Sequence, residues 1–254
     1  MQFVRFTLAG ETDVRSGTVE SGIIREFTGD MFGDFAYTGR QLALGEAALK
    51  APLAPCHIIG VGKNFAADDA VKPPAPELPV LFFKPQTSVI GPGEAIVLPQ
   101  APEPVKYEAE LAVVIGKTAR NVPAEHAGSV IFGFTVSNDM SASGYYHPDG
   151  HWTVGKSFDT FCPLGPVIET DFDYRSARIQ SNVNGVPKQN SPIERMITPV
   201  DRLIAFISRF MTLSPGDVIL TGTPPGAVAV QGGDVVDCFI DGIGHLINPV
   251  QAAD

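Results

Sequence analysis

The stretch that decides the fold is Tyr107-Glu108-Ala109-Glu110-Leu111-Ala112-Val113-Val114-Ile115. Its second half is an unbroken apolar run of strand length and reads as a strand buried in a core. Strand side chains alternate between faces, so Glu108 and Glu110 point the same way. Two carboxylates then share one face at the mouth of an apolar core. Like charges at that spacing repel, and burial disfavours both ionised forms. A bound cation is the usual remedy. The competing reading is a solvent-facing strand edge with a wet glutamate stripe.

Outward from this run, residues 131–136 form a second buried strand that ends at Ser137-Asn138-Asp139. Residues 80–83 form a short strand running into Lys84-Pro85, and 58–61 another that meets a glycine turn. Residues 66–79 carry Pro73, Pro74, Pro76 and Pro79, a segment too broken to be regular and of the kind that forms lids. The spacing predicts a helix over 199–211, with Thr198 as N-cap, Pro199 in the first turn, and Val200, Leu203, Ile204, Ile207 and Met211 on one stripe. A short helix is expected over 123–130. Hairpins are expected at Asn184-Gly185 and Asp241-Gly242.

The 254 residues are 44% hydrophobic, enough for one large core. With 26 Gly and 22 Pro, many short strands and turns are expected rather than a bundle. Strands dominate without a βαβ cadence, so the predicted class is α+β, strand-rich and mixed. Residues 1–50 read as a small β-rich N-terminal portion ending in a helical patch near 45–50. Pro52 and Pro55 mark a linker, and 51–254 form the main unit. A net charge of −10 argues against nucleic acid, and no basic run suits a membrane surface. No apolar stretch is long enough to span a bilayer, and the N-terminus lacks a signal-peptide pattern. Cys56, Cys162 and Cys238 have no metal-type spacing and read as buried free thiols in a reducing cytoplasm.

Glu108, Glu110 and Asp139 all fall at strand ends. Three oxygen donors suit Mg²⁺ or Mn²⁺ better than zinc. Lys156, in Val154-Gly155-Lys156-Ser157, could hold a developing oxyanion beside such a metal; otherwise it is a surface lysine or a partner of Asp159. Thr221-Gly222-Thr223-Pro224-Pro225-Gly226 follows a buried strand. Its backbone N–H groups and the Thr223 hydroxyl could grip a carboxylate.

Together these segments resemble the fumarylacetoacetate hydrolase family. The resemblance is carried, in the family's order, by Gly60-Val61-Gly62-Lys63-Asn64-Phe65, Phe83-Lys84-Pro85, the opening stretch extended to Gly116, Phe132-Gly133-Phe134-Thr135-Val136-Ser137-Asn138-Asp139, Gly155-Lys156-Ser157-Phe158-Asp159 and residues 213–226. It implies a mixed β-roll, a homodimer, and a divalent metal, Mg²⁺ or Mn²⁺, on Glu108, Glu110 and Asp139. It also implies a small 2-oxo or 1,3-dicarbonyl carboxylate substrate contacted by Lys84, Lys156, Gly222 and Thr223. Family reactions pass through an enol or enolate that a metal stabilises.

Two departures bear on the reaction. The family carries Asn-Tyr-x-x-His-x-x-Glu, whose His-Glu dyad activates water. Here Asn64-Phe65-Ala66-Ala67-Asp68-Asp69-Ala70-Val71 puts Asp68 in the histidine place and Val71 in the glutamate place. Asp68 is a candidate base, weakened because a nearby dication lowers its pKa. The family's Ser-Ala-Arg-Asp-x-Gln is replaced by Ser141-Ala142-Ser143-Gly144-Tyr145-Tyr146, which removes an arginine and a glutamine that face substrate. His147 or His151, in His147-Pro148-Asp149-Gly150-His151-Trp152, could take over proton transfer, with Asp149 orienting it; the competing reading is an exposed turn. Trp152 either packs against substrate or closes a core edge. The expected activity is metal-dependent C–C cleavage of a 2-oxo acid, by hydrolysis or decarboxylation. The alternatives are an isomerase or tautomerase, a repurposed dehydratase or cyclase, and a silent keto-acid binder.

Overall fold

The strand Ala109–Ile115 is buried at every position, and its neighbours explain why. Leu111, Val113 and Ile115 join one apolar cluster, with Ile179, Val236, Ile240 and Leu246 from a second sheet. Ala112 and Val114 join another on the opposite face, with Ile58, Leu164, Val218 and Leu220. A strand covered on both faces has no polar alternation, hence the continuous apolar run. Each such buried Leu, Ile or Val contributes about 1.5–3 kcal/mol relative to exposure.

The computed structural model describes residues 1–67 and 69–252. A twelve-stranded mixed sheet forms the frame. Its main path runs Phe35–Ala43, Ile23–Gly29, Arg15–Glu20, Gln2–Thr7, Cys162–Glu169, Ile131–Asn138, Ala109–Ile115, Val218–Leu220, Ile58–Gly62 and Val80–Lys84. Most neighbours are antiparallel, but Val218–Leu220 runs parallel to Ile58–Gly62. The N-terminal strands belong to this sheet, because Gln2–Thr7 pairs with Cys162–Glu169. The second sheet has five strands and includes both expected hairpins, Arg178–Val183 with Val186–Pro192 and Val235–Ile240 with Gly244–Gln251. This α+β, strand-rich architecture is the class expected.

Several local expectations are corrected. The helix is Val200–Phe210, and its N-cap is Pro199 rather than Thr198. Thr198 instead gives its backbone N–H to Asn64 Oδ1 (2.8 Å), which draws it away from the helix start. The patch at 45–50 is a 3-10 turn, Leu44–Glu46, followed by the strand Ala48–Lys50, which pairs with Gln2–Thr7. The short helix expected over 123–130 is present as a 3-10 helix, Ala124–Val130. Cys162 and Cys238 are buried, but Cys56 is exposed, on the loop before Ile58–Gly62. Among the described residues no helix is long and apolar enough to cross a membrane.

Candidate metal and substrate site

The site forms where two antiparallel strands end together. Glu110 is the second residue of Ala109–Ile115, Glu108 immediately precedes it, and Asp139 follows Ile131–Asn138. Register sets Ala109 opposite Asn138. The Asp139 N–H donates to the Glu108 carbonyl (2.8 Å), and the Glu108 N–H to Asn138 Oδ1 (3.0 Å), which locks the two strand ends. One carboxylate oxygen from each of Glu108, Glu110 and Asp139 then lies within 4.8 Å of the others. Glu110 and Asp139 are buried and Glu108 is half-buried, so the wet-stripe reading does not apply.

Lys84 and Lys156 converge on these anions. Lys84, the last residue of Val80–Lys84, donates from Nζ to Asp139 Oδ1 (2.6 Å). Lys156 ends the short helix Thr153–Lys156 and donates to Glu108 Oε2 (2.8 Å) and to Asp139 Oδ2. It is buried, and its ion pairs go to Glu108 and Asp139 rather than to Asp159. Burial alone would lower the Lys156 pKa, but Asp139 and Glu108 outweigh it and push it up, so this group is a fixed cation. For Asp139, burial is outweighed by Lys156 and Lys84, and its pKa is lowered. Glu110 forms no ion pair among the described residues. Burial, then Asp139 and Glu108, raise its pKa well above the ordinary value. A buried carboxylate short of positive charge, beside two others, is a donor set that fits a hard divalent ion.

The glycine-proline loop is drawn inward. The Gly222 N–H donates to Glu110 Oε2 (2.7 Å), and the Thr223 hydroxyl to the Ala109 carbonyl (2.9 Å). Both groups expected to hold substrate thus have protein partners. Gln189 donates from Nε2 to Thr223 Oγ1 (2.8 Å) and accepts the Ala109 N–H (3.2 Å), fixing the backbone between the two glutamates. Asn64 donates to the Thr198 and Thr221 carbonyls (3.1 and 2.8 Å). Neither Gln189 nor Asn64 was singled out from sequence for a site role. Asn64 falls within the stretch Gly60-Val61-Gly62-Lys63-Asn64-Phe65, whereas Gln189 sits on a strand remote in sequence with no local signal.

Asp68 lies outside the described residues. Val71, in the family's glutamate place, is exposed. His147 and His151 sit in an exposed turn closed by the His147 N–H to the His151 carbonyl (2.8 Å). The Asp149 N–H donates to His147 Nδ1 (3.2 Å). Trp152 is half-buried and stacks on Tyr146, with ring centroids 5.4 Å apart and planes at 16°.

A family model described as fumarylacetoacetate (FAA) hydrolase C-terminal matches residues 57–251, and one described as Rv2993c-like, N-terminal, matches residues 1–52. Oxaloacetate tautomerase fahd2, mitochondrial, of Xenopus laevis is 41% identical over 82% of this chain and 70% of its own. A crystal structure of 5-carboxymethyl-2-hydroxymuconate delta-isomerase from Mycobacterium smegmatis is 40% identical, covers 100% of both chains and superposes with a TM-score of 0.92. Maleylpyruvate hydrolase from Sphingobium sp. SYK-6, solved with manganese(II) and pyruvate, is 28% identical over 100% of both chains, with a TM-score of 0.84.

Proposed function

This chain belongs to the fumarylacetoacetate hydrolase family, and from that premise we propose that it is a divalent-metal-dependent enzyme interconverting keto and enol forms, or double-bond positions, of a small 2-oxo carboxylate. The carrying observation is the convergence of Glu108, Glu110 and Asp139 with the Lys156 ammonium at the end of one strand pair. These three carboxylates would hold the metal, Mg²⁺ or Mn²⁺. When bound, it would supply Lewis-acid polarisation of the keto oxygen beside the substrate carboxylate.

The chain's own residues account for the rest. Lys84 and Lys156 pair with Asp139 and Glu108, and with a cation held by the three carboxylates their ammonium groups would be placed to meet substrate oxygens. Lys156, held protonated, stabilises negative charge on the keto oxygen and is not the base. The Gly222 N–H holds Glu110 Oε2 and the Thr223 hydroxyl holds the Ala109 carbonyl, so this loop would position the ligand set beside the substrate. Proton relocation falls to an imidazole of the His147–His151 turn, or to Asp68. The absence of the His-Glu dyad removes the family's means of activating water, which favours proton relocation over hydrolysis.

Cleavage of a C–C bond is the second reading, favoured by the manganese and pyruvate complex of the maleylpyruvate hydrolase. Incubation with oxaloacetate and short acylpyruvates in Mg²⁺ or Mn²⁺ separates the two. Enol absorbance that relaxes without new pyruvate or CO₂ supports tautomerisation; stoichiometric pyruvate supports cleavage. No metal-dependent change with any 2-oxo acid would leave a silent binder. The same premise carries a homodimer, and a division into an N-terminal portion (1–50) and a catalytic unit (51–254); light scattering and limited proteolysis test these.

A further inference from the structure

An aromatic wall leads away from the carboxylate cluster. Lys156 Nζ sits 4.7 Å above the centroid of the Phe82 ring. Phe82 meets Trp152 at 5.7 Å, and Trp152 stacks on Tyr146. Each ring is seated on a glycine. A Cβ on Gly60 would strike Phe82, one on Gly62 would strike Trp152, and one on Gly155 would lie 2.6 Å from Tyr146 Cδ1. The rings therefore occupy space that the backbone leaves for them.

Tyr146 belongs to two places at once. Its hydroxyl end lies near Ser141 and the Lys156 ammonium. Its ring also lines a cavity of about 540 Å³ with Tyr145, His147, His151 and Val154, a size common for small-molecule pockets. A 2-oxo acid anchored at the carboxylates would extend its far end along Tyr146 toward this cavity.

Among the described residues, the part of that path between the carboxylates and the two imidazoles of the cavity offers little to a second carboxylate. Tyr146 and Ser143 stand where the family's pattern has glutamine and arginine. Ser143 Oγ turns away to donate to Glu103 Oε2 (3.1 Å). Of the cations nearby, Lys84 and Lys156 bond the carboxylates, Lys72 the Glu194 and Met196 carbonyls, and Arg195 the Ala67 and Ala70 carbonyls. Lys63 is solvent-exposed, where a charge contributes little. Val154 adds exposed apolar surface.

We infer that this site selects 2-oxo acids with a planar, apolar far end, such as aryl or alkenyl pyruvates, over dicarboxylates, with Tyr146 as the specificity-determining residue. The inference rests on the reading of the carboxylate cluster as the 2-oxo-acid site. Calorimetric titration of the Mg²⁺-loaded protein with pyruvate, phenylpyruvate and oxaloacetate tests it without requiring turnover. Phenylpyruvate is expected to bind at least tenfold more tightly than oxaloacetate. Tyr146→Phe should keep that ratio, and Tyr146→Gln should bring it close to one. If pyruvate binds but oxaloacetate matches or exceeds phenylpyruvate, this inference falls and the site reading stands. An unchanged ratio in Tyr146→Gln likewise removes Tyr146 from the role. If pyruvate itself does not bind, the reading of the site fails, and the inference with it.

Discussion

The Gly222 backbone N–H donates to Glu110 Oε2 at 2.7 Å, so a loop that looked poised for substrate instead braces a candidate metal ligand. Gly222 has φ +97°, and a Cβ there would lie 2.8 Å from Asn64 Cβ. Gly222→Ala is therefore strained in backbone and in space, at a cost of about 1–3 kcal/mol. The expected outcome is a folded but destabilised protein whose Mn²⁺ affinity falls at least tenfold, read by calorimetry. Unaltered affinity would mean that the loop does not position Glu110.

Glu110→Gln removes charge and keeps shape. The carboxylate it replaces is buried beside two other acids and forms no ion pair among the described residues. The metal-free variant should melt above the metal-free parent, because a desolvated charge has gone. Metal at a hundredfold excess over its Kd should stabilise the parent by about 2.7 kcal/mol and leave the variant unmoved. A parent that gains no thermal stability from Mg²⁺ or Mn²⁺ would remove the metal site.

Much of this architecture was legible because its signals are local. The apolar run after Glu110, the Asp-Gly and Asn-Gly turns and the helical stripe at 200–207 depend on near neighbours in sequence. The three carboxylates were legible because strand alternation and a shared strand end bring them together. What escaped depends on contacts between distant segments. Thr198 has the chemistry of an N-cap, but Asn64 claims its backbone. Lys156 could be placed near the three carboxylates but not on them, since its bonds to Glu108 and Asp139 follow from the turn Thr153–Lys156. The Tyr146–Trp152–Phe82 stack joins three segments, and only the glycines beneath the rings hint at it.

Lys156→Met separates charge stabilisation from metal binding. The side chain is buried, and Met approximates its length without the ammonium. Removal of a preorganised donor at a developing oxyanion costs about 10²–10³ in kcat. The metal should bind at least as tightly, since Glu108 and Asp139 lose a competing cation. Turnover and Mn²⁺ titration on one sample check both. Weakened metal binding in proportion to lost turnover would make Lys156 a structural support only.

Acid stability should depend on Glu94, away from the site. Burial works to raise its pKa, but Lys50 (2.7 Å) and the Gly91 N–H outweigh it and hold the carboxyl below its ordinary value of 4.5. A depressed folded-state pKa gives stabilisation that is present above the unfolded value and is lost as the pH falls through the folded one. Both side chains are about a third exposed, at 33% and 36%, so screening limits the effect to less than about 1 kcal/mol. Glu94→Gln should lower stability at pH 7 and leave it little changed near pH 3, as measured by urea denaturation. Equal losses at both values would show that the ion pair carries no linkage.

The histidines of the exposed turn supply the last prediction. Lys156 keeps its proton, and no histidine stands in the family's dyad position, so the group that moves the proton must come from elsewhere. His147 and His151 line the cavity that Tyr146 borders, with ring centroids 6.1 Å apart. They touch none of the three carboxylates. The double variant His147→Ala/His151→Ala should therefore bind Mn²⁺ as the parent does while kcat falls by about 10²-fold or more, in the range for loss of general acid–base help. Each single variant should show, in kcat at saturating substrate, which ring carries the proton. Full turnover in both single variants and in the double would transfer the proton to Asp68, and Asp68→Asn would then be the variant that loses it.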